Sequence, residues 1–150
     1  MKSIVDWAIG ITIFSLIIVA LLYMDKKPEL TTQYQVVTLP GNMFDLDVTV
    51  LITDDTTFAV KYVKENLDST VTAKDFDSRA ATFDTQDGKP VIIWMPYGSR
   101  VDVINHELFH ATVSIMNWAG VSLDESTEEV YAYQMQYLSQ QLDNQINIKP

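Results

Sequence analysis

Val91-Ile92-Ile93-Trp94-Met95, broken by Pro96-Tyr97-Gly98 and followed by Ser99 through Trp118, is the stretch that decides the fold. Five consecutive apolar residues, three of them β-branched, read as a buried strand, and the Pro and Gly after them end it. Ser99-Arg100-Val101-Asp102 has the spacing of a capping box, with Asp in place of the usual Glu or Gln. The spacing predicts a helix from there to about Trp118, closed at Ala119-Gly120. Working upstream, Phe44, Leu46, Val48, Val50 and Ile52 alternate with other residues up to Thr53, the period of a half-buried strand. Tyr34 to Leu39 predicts a further short strand, ended by Pro40-Gly41. Asp54-Asp55-Thr56 caps a predicted helix over Thr57 to Leu67. Residues 68–90 are mixed and polar, with a strand or loop edge at Ala80, Ala81 and Phe83 and a turn at Asp87-Gly88-Lys89-Pro90. Downstream, a last helix begins near Asp124 or Ser126 and continues through Leu142. Strand, helix, strand, helix, helix is the pattern of a small α+β domain.

Composition narrows what such a domain does. The chain has 150 residues, room for one domain or a small domain plus an anchor. Acidic side chains outnumber basic ones 20 to 10, which argues against a nucleic-acid-binding surface. There is no cysteine, so a disulfide scaffold, a thiolate metal site and a cysteine nucleophile are excluded. The excess negative charge falls in residues 28–150.

Ile4 to Tyr23 carries a single charge, Asp6, and at about 1.5 Å per residue would span about 30 Å, the thickness of a bilayer core. Trp7 and Tyr23 lie near its ends, and Lys2, Lys26 and Lys27 flank it. Residues 1–27 are expected to be a single-pass transmembrane anchor in contact with the lipid bilayer through residues 4–23, and 28–150 the functional domain. A signal peptide is the alternative, but Val19-Ala20-Leu21-Leu22-Tyr23 offers no small-x-small cleavage site. The lysines lean slightly toward a cytoplasmic C-terminal domain.

Both histidines of the chain fall in one pentapeptide, His106-Glu107-Leu108-Phe109-His110. On a helix, four residues make just over one turn, so both imidazoles project from one face at a spacing that suits two corners of a tetrahedral Zn2+ site. Glu107, one residue round, can reach a water on the metal and act as general base without being a ligand. Val103, Ile104, Val113 and Met116 can pack beneath the motif. A catalytic zinc takes three protein ligands. With no histidine left, the third must be a carboxylate, and Glu125, Glu128 and Glu129 of the last helix are the candidates.

This arrangement resembles the gluzincin, thermolysin-like metallopeptidases, which carry H-E-x-x-H on one helix and a zinc-binding glutamate on the next. Pro90 to Pro96, His106 to Ala111, Trp118-Ala119-Gly120 and Thr127 to Tyr133 are more closely similar to small phage-encoded proteins of zinc-peptidase type. The likeness covers residues from about 45 to 140. It implies a zincin-like domain with a short sheet, an HExxH helix and a glutamate-bearing helix, with His106 and His110 as ligands and Glu107 as general base. The apolar stripe Tyr131, Met135, Leu138 and Leu142 leaves Glu128 at its margin and Glu129 nearly opposite. Burial favours Glu128. The gluzincin pattern, a ligand glutamate followed by a small apolar residue, favours Glu129, which is taken as the third ligand with Glu128 as the alternative. The family's oxyanion-stabilising histidine or tyrosine has no evident counterpart, and Tyr97, Tyr131, Tyr133 and Arg100 are the substitutes on offer.

The leading expectation is a membrane-anchored zinc hydrolase that cleaves peptide bonds in a protein or in cell-wall peptidoglycan; Val91 to Met95 is either an edge along which an extended peptide lies or, more simply, a buried core strand. The second is a structural membrane protein of a lipid-containing phage virion, with virion proteins as partners and a structural or vestigial metal site. The third is a tethered acidic module that recruits a basic partner.

Overall fold

In a computed structural model that describes residues 33–41, 44–67, 70–84 and 87–146, β2 (Val48–Ile52) and β4 (Val91–Met95) run side by side and parallel, Val48 opposite Val91 and Ile52 opposite Met95. β1 (Gln35–Leu39) pairs antiparallel with β2, and β3 (Ala81–Phe83) antiparallel with β4. The strand order β1-β2-β4-β3 puts the two apolar strands inside the sheet and β3 at one edge.

Both inner strands are buried along their whole length because the sheet is covered on both faces. Side chains alternate across a strand. Val48, Val50 and Ile52 with Val91, Ile93 and Met95 face helices α2 (Val101–Trp118) and α3 (Glu128–Gln145), meeting Ile104, Leu108, Ala111, Ile115, Leu138 and Leu142. Leu51, Ile92 and Trp94 face the other way, onto Ala59, Val63 and Leu67 of α1 (Thr56–Leu67) and Phe76 of a short 3-10 helix, Ala73–Phe76. The result is three layers: α1, the sheet, and the α2–α3 pair.

Local chemistry sets the element ends. Asp55 Oδ1 accepts the Phe58 N–H at 2.9 Å and starts α1. Gly88, at φ +81°, lies in the turn between β3 and β4. At the end of α2, Gly120 adopts φ +73° and the Val121 N–H returns to the Met116 carbonyl at 2.8 Å, satisfying a terminal acceptor.

Several expectations are corrected. The expected transmembrane helix is not part of the observed architecture: among the described residues no helix is long and apolar enough to cross a membrane, and the run 4–23 itself lies outside them. The strand expected over Phe44–Thr53 is confined to Val48–Ile52 and is buried on both faces, since α1 crosses what would have been its solvent side. Ser99 does not cap α2. Its hydroxyl donates to the Pro96 carbonyl at 2.8 Å, and Arg100 occupies the cap position without a side-chain bond. The last helix begins at Glu128, because Ser122 to Thr127 are held in a turn: the Thr127 hydroxyl donates to the Ser122 carbonyl at 2.6 Å and accepts the Asp124 N–H at 2.9 Å. Its buried stripe is Tyr131, Gln134, Leu138 and Leu142, so Gln134 takes the place expected for Met135. Finally, β4 is interior, and the edge available to an extended partner on that side is β3.

Candidate metal and catalytic site

α2 has one face against the core, through Ile104, Leu108, Ala111 and Ile115. His106 and His110 fall on the opposite face and are exposed. Their Nε2 atoms stand 3.0 Å apart, with the rings at 81° to one another. Two nitrogens each about 2.0 Å from a tetrahedral metal would lie about 3.3 Å apart, so the pair fits two corners of such a site with little adjustment.

Glu107 projects from the flank of α2, toward the sheet edge. It is only 5% exposed. Its Oε2 accepts a hydrogen bond from the Thr82 hydroxyl on β3 at 2.7 Å. Burying a carboxylate without a donor is costly, and Thr82 supplies one. Two residues further along, on the same side of the strand, Asp84 Oδ2 accepts from the Ser114 hydroxyl, and Ser114 lies seven residues after Glu107 on α2. Two rungs therefore tie the edge strand to the helix.

Between them runs a groove in two halves that meet at His106 and Glu107. One half, of about 470 Å³, extends past Thr82, Asp84, His110 and Asn117. The other, of about 340 Å³, extends past Arg79, Ala80 and Asp102 toward the start of α2. Asp102 is itself engaged by Arg100 Nε at 2.9 Å, which holds its carboxyl below the usual carboxylate range against the opposing, upward pull of desolvation.

The expected third ligands are not gathered here. Glu128 and Glu129 lie in the first turn of α3, and Glu125 in the turn before it; all three are exposed, and none lines the groove. Among the described residues no three His, Asp or Glu side chains stand close enough together to hold a metal ion. Two of the three donors a catalytic zinc takes are thus in place and the third is not. None of the expected oxyanion donors lines the groove either. Tyr131 donates to the Val121 carbonyl at 2.8 Å, Tyr97 and Tyr133 are exposed, and Arg100 is turned to Asp102.

Arg79, Thr82, Asp84, Ser114 and Asn117 were not evident as site residues from the sequence. The period of two through Ala80, Thr82 and Asp84 was the available signal, once β3 is known to lie beside α2.

No protein-family model matches the chain, no curated protein matches it, and no solved structure matches it. What the site can do follows from its own geometry.

Proposed function

We propose that the chain is a zinc-dependent hydrolase of peptide bonds, in a protein or in the peptide stems of peptidoglycan. The observation that carries this reading is the exposed His106–His110 pair, 3.0 Å apart at Nε2, beside a buried glutamate in a groove bounded by a sheet edge. His106 and His110 would hold the ion, and a third donor, Glu129 with Glu128 as the alternative, would have to be brought to them, since neither lines the groove. When bound, zinc supplies Lewis acidity and lowers the pKa of a water toward about 7. Glu107 would take a proton from the attacking water on Oε1, the oxygen not hydrogen-bonded to Thr82, and would later deliver it to the leaving amine. β3 offers a strand edge on which an extended substrate can lie, in place of the interior β4.

A second reading has its own support. A single N–H···N hydrogen bond also accounts for a 3.0 Å separation of the two rings, and leaves the pair a metal-free structural contact.

The test is metal content followed by hydrolysis. The chain, purified without added metal or a histidine tag, is expected to carry about one zinc, lost in His110→Ala. Glu107→Gln is expected to keep the metal and lose hydrolysis of a peptide substrate by at least about 100-fold. Absence of metal after zinc is offered would favour the second reading, and an unchanged rate in Glu107→Gln would remove the general-base role.

A further inference from the structure

Thr82 lies on a three-residue edge strand, opposite Ile93 of β4. Its neighbours Ala81 and Phe83 pack toward α1, with Trp94 and Phe76. By alternation Thr82 points the other way, at α2. There its hydroxyl lies 2.7 Å from Glu107 Oε2 and 3.2 Å from the Glu107 backbone carbonyl. The one hydroxyl proton goes to the nearer acceptor, the side-chain oxygen. No other hydrogen bond reaches that carboxylate among the described residues.

We propose that Thr82 is a positioning residue for Glu107: it fixes the end of a long side chain so that Oε2 faces the strand and Oε1 faces the groove. This rests on the hydrolase reading above. Glutamate has three side-chain torsions, and packing along α2 restricts the first two more than the last. A single donor on the opposing strand sets the last. The donor is itself well placed, because threonine is β-branched and stiff at χ1. The strand that carries it is clamped on both sides, by its pairing with β4 and by the second rung from Asp84 to Ser114. Among the described residues both hydrogen-bond contacts of the Thr82 hydroxyl go to Glu107 and none goes to His106 or His110, so its proposed effect travels through Glu107. The edge that would receive substrate and the donor that aims the base are then the same three residues.

The experiment compares wild type, Thr82→Val and Thr82→Ser in the full chain. Val keeps the branched shape and removes the donor; Ser keeps the donor. Activity is read on a mixture of internally quenched peptides, and the 13C resonance of the Glu107 carboxyl is read on metal-free protein. For Thr82→Val the expected result is a kcat reduced about 10- to 100-fold, with KM and zinc content within about twofold of wild type. Thr82→Ser is expected to recover most of that loss. The carboxyl resonance is expected to move in Val and return in Ser. Equal kcat in wild type and Val, or a Ser variant no better than Val, overturns the proposal while leaving the hydrolase reading intact. An unmoved resonance overturns it as well. A wild-type chain that cleaves no peptide overturns the hydrolase reading, and the role proposed for Thr82 falls with it.

Discussion

His106 and His110 meet at 3.0 Å through their Nε2 atoms on the exposed face of α2, while Glu107 between them is turned into the protein. Three residues of one pentapeptide thus occupy two different environments, because Glu107 is turned about 100° from His106 while His110, four residues on, is turned only about 40° from it. A pair of exposed imidazoles offers unshared electron pairs to a cation, and the buried carboxylate next to them is held by a fixed donor.

Substitution tests which residue would be the third donor of the proposed zinc site. Glu128 and Glu129 are adjacent on α3 and point about 100° apart. Glu129→Ala is expected to lose bound zinc and Glu128→Ala to keep it, measured by metal analysis of each purified variant. Equal retention in both would mean that neither is the ligand.

Gln134 is fully buried on α3, and neither its amide oxygen nor its amide nitrogen has a hydrogen-bond partner among the described residues. A buried unpaired amide costs more than an apolar group of the same shape. Gln134→Met is therefore expected to stabilise the fold by about 1 kcal/mol, read as a raised midpoint in chemical denaturation at unchanged slope. A lowered midpoint would mean that the amide is satisfied in solution, for instance by a buried water.

Gly41 follows β1 at a close approach of the chain to itself. A Cβ there would fall on the backbone of Leu46, which cannot swing aside as a side-chain tip could. The Gly41 N–H also donates to Asp47 Oδ1 at 3.0 Å. Gly41→Ala is expected to cost about 2–3 kcal/mol, visible as a lowered thermal midpoint. A midpoint within a degree of wild type would show that this loop relaxes freely.

Acid should loosen the turn before α3. The Ser126 hydroxyl and N–H both donate to Asp124 and hold its carboxyl below the usual range. At Asp75 the Thr72 N–H and hydroxyl do the same for the 3-10 helix. A depressed folded pKa gives stability that is present above the unfolded value and is lost as pH falls through the folded one. Stability is thus expected to decline on the acid side of the ordinary carboxylate range. Asp124→Asn should flatten that limb in denaturation series run at successive pH values; an unchanged limb would assign the loss to other groups.

The order of elements was legible because period and capping are local. Val91–Met95 and the helix ending at Gly120 follow the chain almost residue for residue. Other features depend on what lies across from them. Phe44 to Thr53 reads as half-buried only if one side meets solvent, and nothing in its alternation announces that α1 covers it. Met135 and Gln134 are neighbours on a helix whose buried stripe runs through Gln134, and hydropathy alone favours the methionine. The meeting of His106 and His110 on one exposed helix face was legible from their spacing. Thr82 was not, because its meaning comes from Glu107, twenty-five residues away in sequence.

Parallel pairing of β2 with β4 joins Val48 to Val91 across the whole intervening segment that carries α1 and β3. Chain closure over such a separation must precede the contacts that reward it, which slows folding. The two imidazoles, by contrast, share one helical turn and need no distant partner to come together. During folding the imidazole pair can therefore exist well before the base beside it is aimed. A nascent chain would bring its two imidazoles together early and seat Glu107 against Thr82 late, once the central strands have closed and the last margin of the sheet has docked.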